Sequence, residues 1–488
     1  MCGLAGIWGR RDDVVVAEMN HLQRHRGPDG VGIWGDAHGT LGHRRLAIVD
    51  PQGGEQPIQN EDGSRTLIAN GEIYNHRLLR SSLENHHFST DSDSESILHL
   101  FEEHGGEAVR KLDGMFAFAI ADEGRLFLAR DPLGIKPLYY VEDGRGMAFA
   151  SELKAIVRVS KDVREFPPGA YFCSRKGFVR YYDLPPQTDA GMTIPETVQR
   201  LRETLEVSVQ KRLLSDVPVG AFLSGGLDSS LVVALARRHQ PVFHTVCVGT
   251  AGSSDLAAAR EVAAQLGTRH HEHVLTPDDV ARHLPEIIYH LESFDVDLVR
   301  SAIPNYFASL VAREHFKVVL TGEGSDELFA GYTYHEGHHL RGRLNHELRE
   351  SVAALHNLNL QRCDRMTMAH GVEGRVPFLD LKMIELAFAI PASLKIVRGC
   401  KKWILRAAAT GVLDDRIVWR TKTQFDQGSG ANAILGEVVP KMIRNFGIRT
   451  PTSSSQRELE AALYRELFRR EFPREVERLV AGWRGAAA

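Results

Sequence analysis

The stretch VPVGAFLSGGLDSSLVVALA at residues 217–236 decides the fold of the second half of the chain. A short apolar run, predicted to be a buried strand, breaks at two glycines and restarts as an apolar helix. The glycines let backbone N–H groups approach an anion, the serines add hydroxyl donors, and the helix directs its positive N-terminal end to the same place. The stretch therefore predicts a phosphate-binding turn. A Gly-rich turn that binds nothing is the alternative interpretation.

Strands and helices alternate beyond this turn, which predicts a parallel sheet with helices on both faces. Predicted elements include a strand at residues 272–275 and a helix at residues 304–314. Ligands in such folds lie beyond the carboxyl ends of strands, and the segment TGEGSDE at residues 321–327 also follows a predicted strand. Asp228 and Asp326 would then face one phosphate site, an arrangement typical of Mg²⁺ binding. Alternatively, residues 321–327 form a polar turn capped by acids.

The bulk composition excludes several function classes. A formal net charge of −4 over 488 residues does not indicate binding to nucleic acid or to an anionic membrane. The 23 histidines scatter without a metal-ligand spacing. Five cysteines without a CxxC pair favour reduced thiols, and no apolar run approaches about 18 residues, so we expect a soluble, cytoplasmic protein.

The first half of the chain predicts a different fold. Segments of β character separated by glycine turns recur to about residue 182, which fits stacked antiparallel sheets with helices outside them. A polar segment with Pro and Gly at residues 181–191 indicates a linker. We therefore predict two domains, residues 1–185 and 195–488.

Cys2 stands at the chain start, where removal of Met1 would leave a thiol and an α-amine on one residue. An α-amine has a pKa near about 7.7–8.0, so its neutral form can take the proton of the thiol. The alternative is a buried cysteine that opens an edge strand.

Four polar clusters interrupt the apolar rhythm of this half: RHRGPD (24–29), GHRRLAIVD (42–50), NGEIYN (70–75) and SDSE (92–95). A glutamine substrate needs an arginine for its α-carboxylate and acids for its α-ammonium. It also needs donors for the oxyanion that forms when a thiolate attacks its amide. These residue types are all present, although each cluster taken singly could be a solvated turn.

With Cys2, these clusters resemble the class II (N-terminal nucleophile) glutamine amidotransferases, and most closely the glutamine-hydrolysing asparagine synthetase family. The resemblance implies that Cys2 is the nucleophile and that its own amine is the general base. It implies an oxyanion hole formed by the Asn70 side chain and the Gly71 backbone N–H. The residues implied to hold glutamine are Arg45, Asn70, Glu72 and Asp93, with Asp91 as a less favoured alternative to Asp93.

The second half resembles the synthetase part of the same family, which has the ATP-pyrophosphatase (PP-loop) fold. The resemblance implies ATP and Mg²⁺ as cofactors. The implied pyrophosphate ligands are Ser224, Gly225, Gly226, Asp228, Ser229 and Ser230. Leu223 and Val248 would line the adenine, Gly322 would lie near the nucleotide, and Asp228 and Asp326 would bind Mg²⁺. Glu323 would act as acid/base toward ammonia, and Lys422 would neutralise charge at the α-phosphorus. KKWILR at residues 401–406 also fits the family.

The implied reaction is glutamine hydrolysis at Cys2, adenylation of a carboxylate by ATP, and displacement of AMP by ammonia. Aspartate is the expected acceptor, which gives asparagine. A specialised amidotransferase for another carboxylic acid is the alternative, because DLVR (297–300) and FDQG (425–428) replace the usual Thr-Thr-Ile-Arg-like and Phe-Ser-Asp-Gly runs, and the chain is somewhat short. An added carboxylate at Asp297 would repel a dicarboxylic amino acid unless it pairs with an ammonium.

Three other classes are disfavoured. Cys2, Arg45, Asn70 and Glu72 together speak against a β-lactam synthetase-like cyclase. Retention of Asp228, Glu323, Asp326 and Lys422 speaks against a noncatalytic relative. A metal or nucleic-acid binder has neither ligand spacing nor a basic face. The family also suggests a homodimer.

Overall fold

A computed structural model describes residues 2–144, 146–420, 428–451 and 453–480. The chain divides into two compact units. The first spans Met1–Asp183 with the segments Met368–Glu373 and Phe468–Ala481, and the second spans Leu184–Thr367 and Gly374–Leu467. The predicted limits 1–185 and 195–488 stay predictions.

Two six-stranded antiparallel sheets form the first unit. The first sheet has the order β10 (Arg164–Glu165), β8 (Tyr139–Asp143), β9 (Gly146–Ala150), β1 (Gly3–Trp8), β3 (Gly39–Arg45) and β2 (Gly30–Gly35). The second has the order β12 (Gly177–Arg180), β11 (Ala170–Cys173), β7 (Arg125–Arg130), β6 (Gly114–Asp122), β5 (Arg65–Ile73) and β4 (Ile58–Gln59). The helices of this part are Asp13–Leu22, His76–Ser82, Glu95–His104 and Leu153–Ile156.

The core of the first unit lies between and behind the two sheets. Leu4 and Leu41 of the first sheet pack with Ile68 and Leu128 of the second. A second cluster joins the other face of the second sheet to helix Glu95–His104. Successive side chains of a strand point to opposite faces, and the nearly continuous buried runs of β5, β6 and β7 make both faces of the second sheet apolar, so each face packs against another layer. The predicted layers of stacked antiparallel sheets with outer helices are confirmed.

A five-stranded sheet organises the second unit, in the order β15 (Arg269–Val274), β14 (His244–Gly249), β13 (Val219–Phe222), β16 (Val318–Leu320) and β17 (Glu373–Arg375). Strand β13 pairs in parallel with β14 and with β16, and β14 pairs in parallel with β15. The predicted parallel sheet is confirmed, although β15 begins three residues before the predicted strand. A short hairpin pairs Ile396–Val397 with Cys400–Lys401.

Among the helices after residue 190, Leu227–His239, Ser254–Leu266 and Val296–Ala312 pack against this sheet. The described helices of this part are Ile194–Arg212, Leu227–His239, Ser254–Leu266, Pro277–Leu291, Val296–Ala312, Ser325–Phe329, Tyr334–Leu340, Leu344–Ala354, Asn359–Met368, Leu381–Ala389, Ala392–Lys395, Trp403–Ala409, Asp415–Val418, Ala431–Asn445 and Gln456–Glu471. None of the described helices combines the length and the apolar character that crossing a bilayer requires.

Candidate functional site

Cys2 lies directly before β1 and is buried. Its backbone N–H donates to Asn70 Oδ1 at 2.9 Å, and its carbonyl oxygen accepts from Arg26 Nε at 3.0 Å. Burial raises the pKa of the Cys2 thiol, while the backbone N–H of Leu46 and the charge of Arg45 act in the opposite direction. The thiol therefore needs a base close by before it can react as a thiolate.

The hydrogen bond from Arg26 to the carbonyl oxygen of Cys2 depends on a buried ion cluster that the sequence did not reveal. Arg26 donates to Glu152 at 2.9 Å, and Lys154 and His25 lie 2.8 Å and 3.0 Å from the same carboxylate. Although burial alone would raise the pKa of Glu152, these cations hold it well below its ordinary value. Glu152 thus fixes Arg26, and Arg26 fixes the carbonyl of Cys2.

Strand β5 carries the predicted oxyanion donors. Asn70 is fully buried, and its Nδ2 amide has no hydrogen-bond partner among the residues that the structure describes. A buried donor without a hydrogen-bond partner costs about 1–3 kcal/mol, so such a group indicates a ligand. At Gly71 a Cβ would lie 2.0 Å from the carbonyl oxygen of Met115, which leaves room only for glycine.

The charged residues predicted to hold glutamine are all buried, and they come from strands β3 and β5 and from the turn before helix Glu95–His104. Arg45 ends β3 and donates to the carbonyl oxygens of Asp50 and Pro51 at 2.5 and 3.1 Å. Asp93 accepts from the backbone N–H of Ile73 at 2.7 Å, which places it beside the strand residue Glu72. The side chain of Asp91 is 90% exposed and pairs with Arg80, so burial favours Asp93 over Asp91.

In the second unit, the turn after β13 has the predicted form. At Gly225, with φ of 70°, a Cβ would lie 2.5 Å from the backbone of Ala258, so both conformation and packing require glycine. Ser229 Oγ accepts from the backbone N–H of Ser224 at 3.3 Å. Ser230 Oγ is buried and unpaired within the described chain. Hydroxyl and amide donors therefore gather at the start of helix Leu227–His239.

A cavity of about 730 Å³ opens beside this turn, a size suited to a nucleotide. Its wall contains the predicted residues Leu223, Ser224, Gly226, Asp228, Ser229, Val248, Gly322, Glu323 and Asp326. The predicted residues Gly225 and Ser230 are not part of this wall. Lys422 belongs to residues 421–427, which are outside the described residues. The wall also contains charged residues without a predicted role, among them Asp297, Arg362, Lys402, Arg420 and Arg457.

Lys402 joins the two carboxylates that the sequence assigns to Mg²⁺. Its Nζ lies 2.7 Å from Asp228 Oδ2, 2.6 Å from Asp326 Oδ1 and 3.1 Å from Ser325 Oγ. Burial would lower the pKa of Lys402, but the two carboxylates outweigh it and raise that pKa above its ordinary value. Hard oxygen donors thus converge on one position that already holds a positive charge, which fits a magnesium site.

A second acidic group faces the cavity beside this one. Glu323 forms an ion pair with the buried guanidinium of Arg362. Behind it, Glu327 accepts hydrogen bonds from the Tyr332 hydroxyl at 2.6 Å and from the Asn359 amide at 2.9 Å. Burial, reinforced by the charge of Asp326, raises the pKa of Glu327 to about 7.

The segment that departs from the usual family pattern has partners on the helix Gln456–Glu471. Both oxygens of Asp297 accept from Arg457, each at 2.7 Å. Arg300 makes a similar double contact with Glu460, at 2.7 and 3.1 Å. The negative charge of Asp297 is therefore paired with Arg457, a partially exposed partner that the sequence did not indicate.

Comparison with known proteins gives consistent results over both units. A glutamine amidotransferase domain model matches residues 1–207, and an asparagine synthase model matches residues 200–354 and 338–481. Glutamine-hydrolysing asparagine synthetase 3 of Arabidopsis thaliana is 40% identical over 98% of this chain and 89% of its own length. The corresponding enzyme of Sandersonia aurantiaca is 38% identical over 97% of each chain.

Proposed function

The chain belongs to the family of glutamine-hydrolysing asparagine synthetases, and we propose that it makes asparagine from aspartate, with glutamine as nitrogen donor and ATP as energy source. The observation that carries this proposal is the convergence of Asp228 and Asp326 on one cation position beside the serine-rich turn. The cytoplasmic location, the homodimer and the lack of nucleic-acid binding stay predictions.

In the first unit, the Cys2 thiolate attacks the side-chain amide carbon of glutamine. With Met1 removed, the α-amine of Cys2 takes the thiol proton. Asn70 Nδ2, whose donor is otherwise unused, and the backbone N–H of Gly71 bind the oxyanion that develops. Ammonia leaves, and water hydrolyses the resulting thioester to glutamate. Arg45 would hold the α-carboxylate of glutamine, and Glu72 and Asp93 its α-ammonium.

In the second unit, the turn at residues 224–230 binds the β and γ phosphates through its hydroxyl and amide donors. Asp228 and Asp326 would hold Mg²⁺, which supplies positive charge against the phosphate oxygens. Leu223 and Val248 flank the adenine. An oxygen of the acceptor carboxylate attacks the α-phosphorus and pyrophosphate leaves, with Lys422 assigned to the charge on the α-phosphate. Ammonia then attacks the acyl carbon, and Glu323 takes its proton as AMP departs.

The identity of the acceptor is inferred from the surroundings of Asp297. An unpaired carboxylate in the cavity wall would repel aspartate, but Arg457 compensates this one through two short hydrogen bonds. The pairing supports aspartate as the acceptor. Another carboxylic acid is the second candidate, favoured by the Asp297-Leu298 pair at a position where aspartate-using members usually carry two threonines.

Two variants and an acceptor screen test the proposal. Cys2→Ala should abolish glutamine-dependent synthesis while free ammonia still supports it, and Asp228→Ala should keep glutaminase activity but stop pyrophosphate release. A panel of carboxylic acids, assayed for acceptor-dependent pyrophosphate release, identifies the acceptor. Failure of Cys2→Ala with free ammonia would refute the two-site mechanism, and release with another acid but not with aspartate would replace asparagine synthesis by the second candidate.

A further inference from the structure

Three histidines that are far apart in the sequence meet at one edge of the second unit's sheet. His244 is the first residue of β14, His271 lies in the neighbouring strand β15, and His315 lies between helix Val296–Ala312 and β16. Parallel pairing of β14 with β15 places Val246 opposite His271, so the two strands bring their histidines close together. This clustering has no counterpart in the sequence spacing, which is why the histidines looked scattered.

The imidazoles of this cluster are near ligand geometry. His244 Nδ1 lies 2.9 Å from His271 Nε2, and the rings of His271 and His315 stack with centroids 3.6 Å apart. One ring nitrogen of each histidine lies within 4.8 Å of those of the other two. A tetrahedral zinc ion with Zn–N bonds of about 2.0–2.1 Å holds its nitrogen ligands about 3.3 Å apart. Binding of one ion would replace the hydrogen bond between His244 and His271 and would require one of the stacked rings of His271 and His315 to turn, because parallel rings direct their lone pairs side by side.

Burial favours the neutral form of the His244 and His271 rings. Burial and the neighbouring histidines lower the pKa of His271 to about 4, against a raising effect of Glu314. Burial, with His315 and Arg269, also lowers the pKa of His244. A neutral imidazole offers a lone pair, the form in which histidine binds metals. All three side chains are half-buried, so an ion can reach them from solvent.

A second cluster with metal-ligand types, Glu61, His86, His99 and Glu102, serves as the contrast. There His99 Nδ1 lies 2.8 Å from Glu102 and His86 Nδ1 lies 3.2 Å from Glu61. Two carboxylates against two imidazoles form ion pairs, which accounts for that cluster without a metal. The cluster of His244, His271 and His315 consists of imidazoles alone, and mutual charge compensation does not account for it.

We propose that His244, His271 and His315 bind a divalent transition-metal ion of the zinc class, with water completing the coordination. Imidazole ligands suit zinc, copper and nickel, whereas magnesium prefers oxygen donors. The three histidines lie toward the amino-terminal end of β14, and none of them is among the described residues that line the nucleotide cavity.

Metal counting on the untagged, full-length chain tests this site. After treatment with EDTA, the protein is dialysed against Zn²⁺ and its bound zinc is measured by atomic emission. We expect one tightly bound equivalent in the wild type. His271→Gln and His315→Gln should each weaken binding by about tenfold to a hundredfold or more. His86→Gln, in the contrasting cluster, is the matched control and should bind zinc like the wild type.

A spectroscopic measurement separates a defined site from adventitious binding. Co²⁺ in the wild type should give the visible absorption of a tetrahedral nitrogen site, and both cluster variants should lose it while circular dichroism shows that they remain folded. The proposal is overturned if the wild type retains no zinc, or if binding weakens equally in His86→Gln. Several weak equivalents shared by all variants would likewise overturn it. Loss of fold in His271→Gln leaves His315→Gln to decide.

Discussion

Lys402→Met removes the cation that lies between Asp228 and Asp326 while keeping most of the side-chain volume. In the wild type, Lys402 is 2% exposed and its ammonium lies 2.7 and 2.6 Å from the two carboxylates. Without it, two negative charges face each other across a short gap. The variant should lose stability and should gain an unusual response to magnesium.

The size of the loss follows from burial. Breaking a buried ion pair by removing one partner costs about 3–5 kcal/mol. Both carboxylates keep 21% of their side-chain surface exposed, so water and salt reduce the cost, and we expect about 2–3 kcal/mol of lost unfolding free energy. With an unfolding entropy of about 2.1 cal/mol/K per residue, a unit of this size should unfold about 3–5 °C earlier.

The neighbouring variant Lys401→Met is the control. Lys401 pairs with Glu336 at 2.7 Å, but these side chains are 21% and 41% exposed, so its loss should cost about 0–1 kcal/mol. Thermal unfolding of the wild type and both variants is measured with and without Mg²⁺. Mg²⁺ should restore stability selectively in Lys402→Met, because a ligand that binds only the folded state stabilises it.

Two results would refute this reasoning. Equal destabilisation of Lys401→Met and Lys402→Met would mean that the carboxylates of Asp228 and Asp326 do not depend on Lys402. An equal effect of Mg²⁺ on the wild type and on Lys402→Met would mean that Asp228 and Asp326 do not form a cation site once the lysine has gone.

Three further variants test single groups. Lys395 is buried, its ammonium lacks a hydrogen-bond partner within the described chain, and burial lowers its pKa from 10.5 to about 7. Between pH 7 and 10.5 the unfolded chain therefore binds more protons than the folded chain, so the free energy of unfolding should rise with pH. Lys395→Met should abolish that rise, measured by urea unfolding, and should add about 4 kcal/mol of stability at pH 7. Because the pKa of Glu327 is raised to about 7, the free energy of unfolding should fall as the pH rises from about 4.5 to 7. Glu327→Gln should remove this pH dependence in the same assay. Asn70→Ala should lower glutaminase kcat by about 10²–10³ and leave ammonia-dependent synthesis intact.

Local signals predicted the architecture well. The turn at residues 223–226 was predictable because the conformation of Gly225 and the serine donors are properties of adjacent residues. Element limits were less accurate. The helix predicted at residues 304–314 is Val296–Ala312, because the Asp295 side chain accepts from the backbone N–H of Leu298 at 2.9 Å and caps an earlier start.

Partners remote in sequence were not predictable from the pattern. Lys402 reaches Asp228 across 174 residues, and Arg457 reaches Asp297 across 160. A charged residue alone does not reveal which opposite charge the fold will bring to it. Asp297 was expected to repel an acidic acceptor as a single carboxylate, whereas in the protein it is paired with the Arg457 guanidinium.

These remote pairs share one physical consequence for ligand binding. In the cavity, Lys402 offsets one of the two negative charges of Asp228 and Asp326, Glu323 pairs with Arg362, and the more exposed Asp297 pairs with Arg457. Buried charges need such compensation to avoid a large desolvation cost. A triphosphate with its cation brings both signs of charge, so it can exchange with these internal pairs instead of adding uncompensated charge. Phosphate oxygens would attract Lys402, and Asp228 and Asp326 would be left to hold the cation, which would make the ionic pairing of the cavity part of the binding reaction itself.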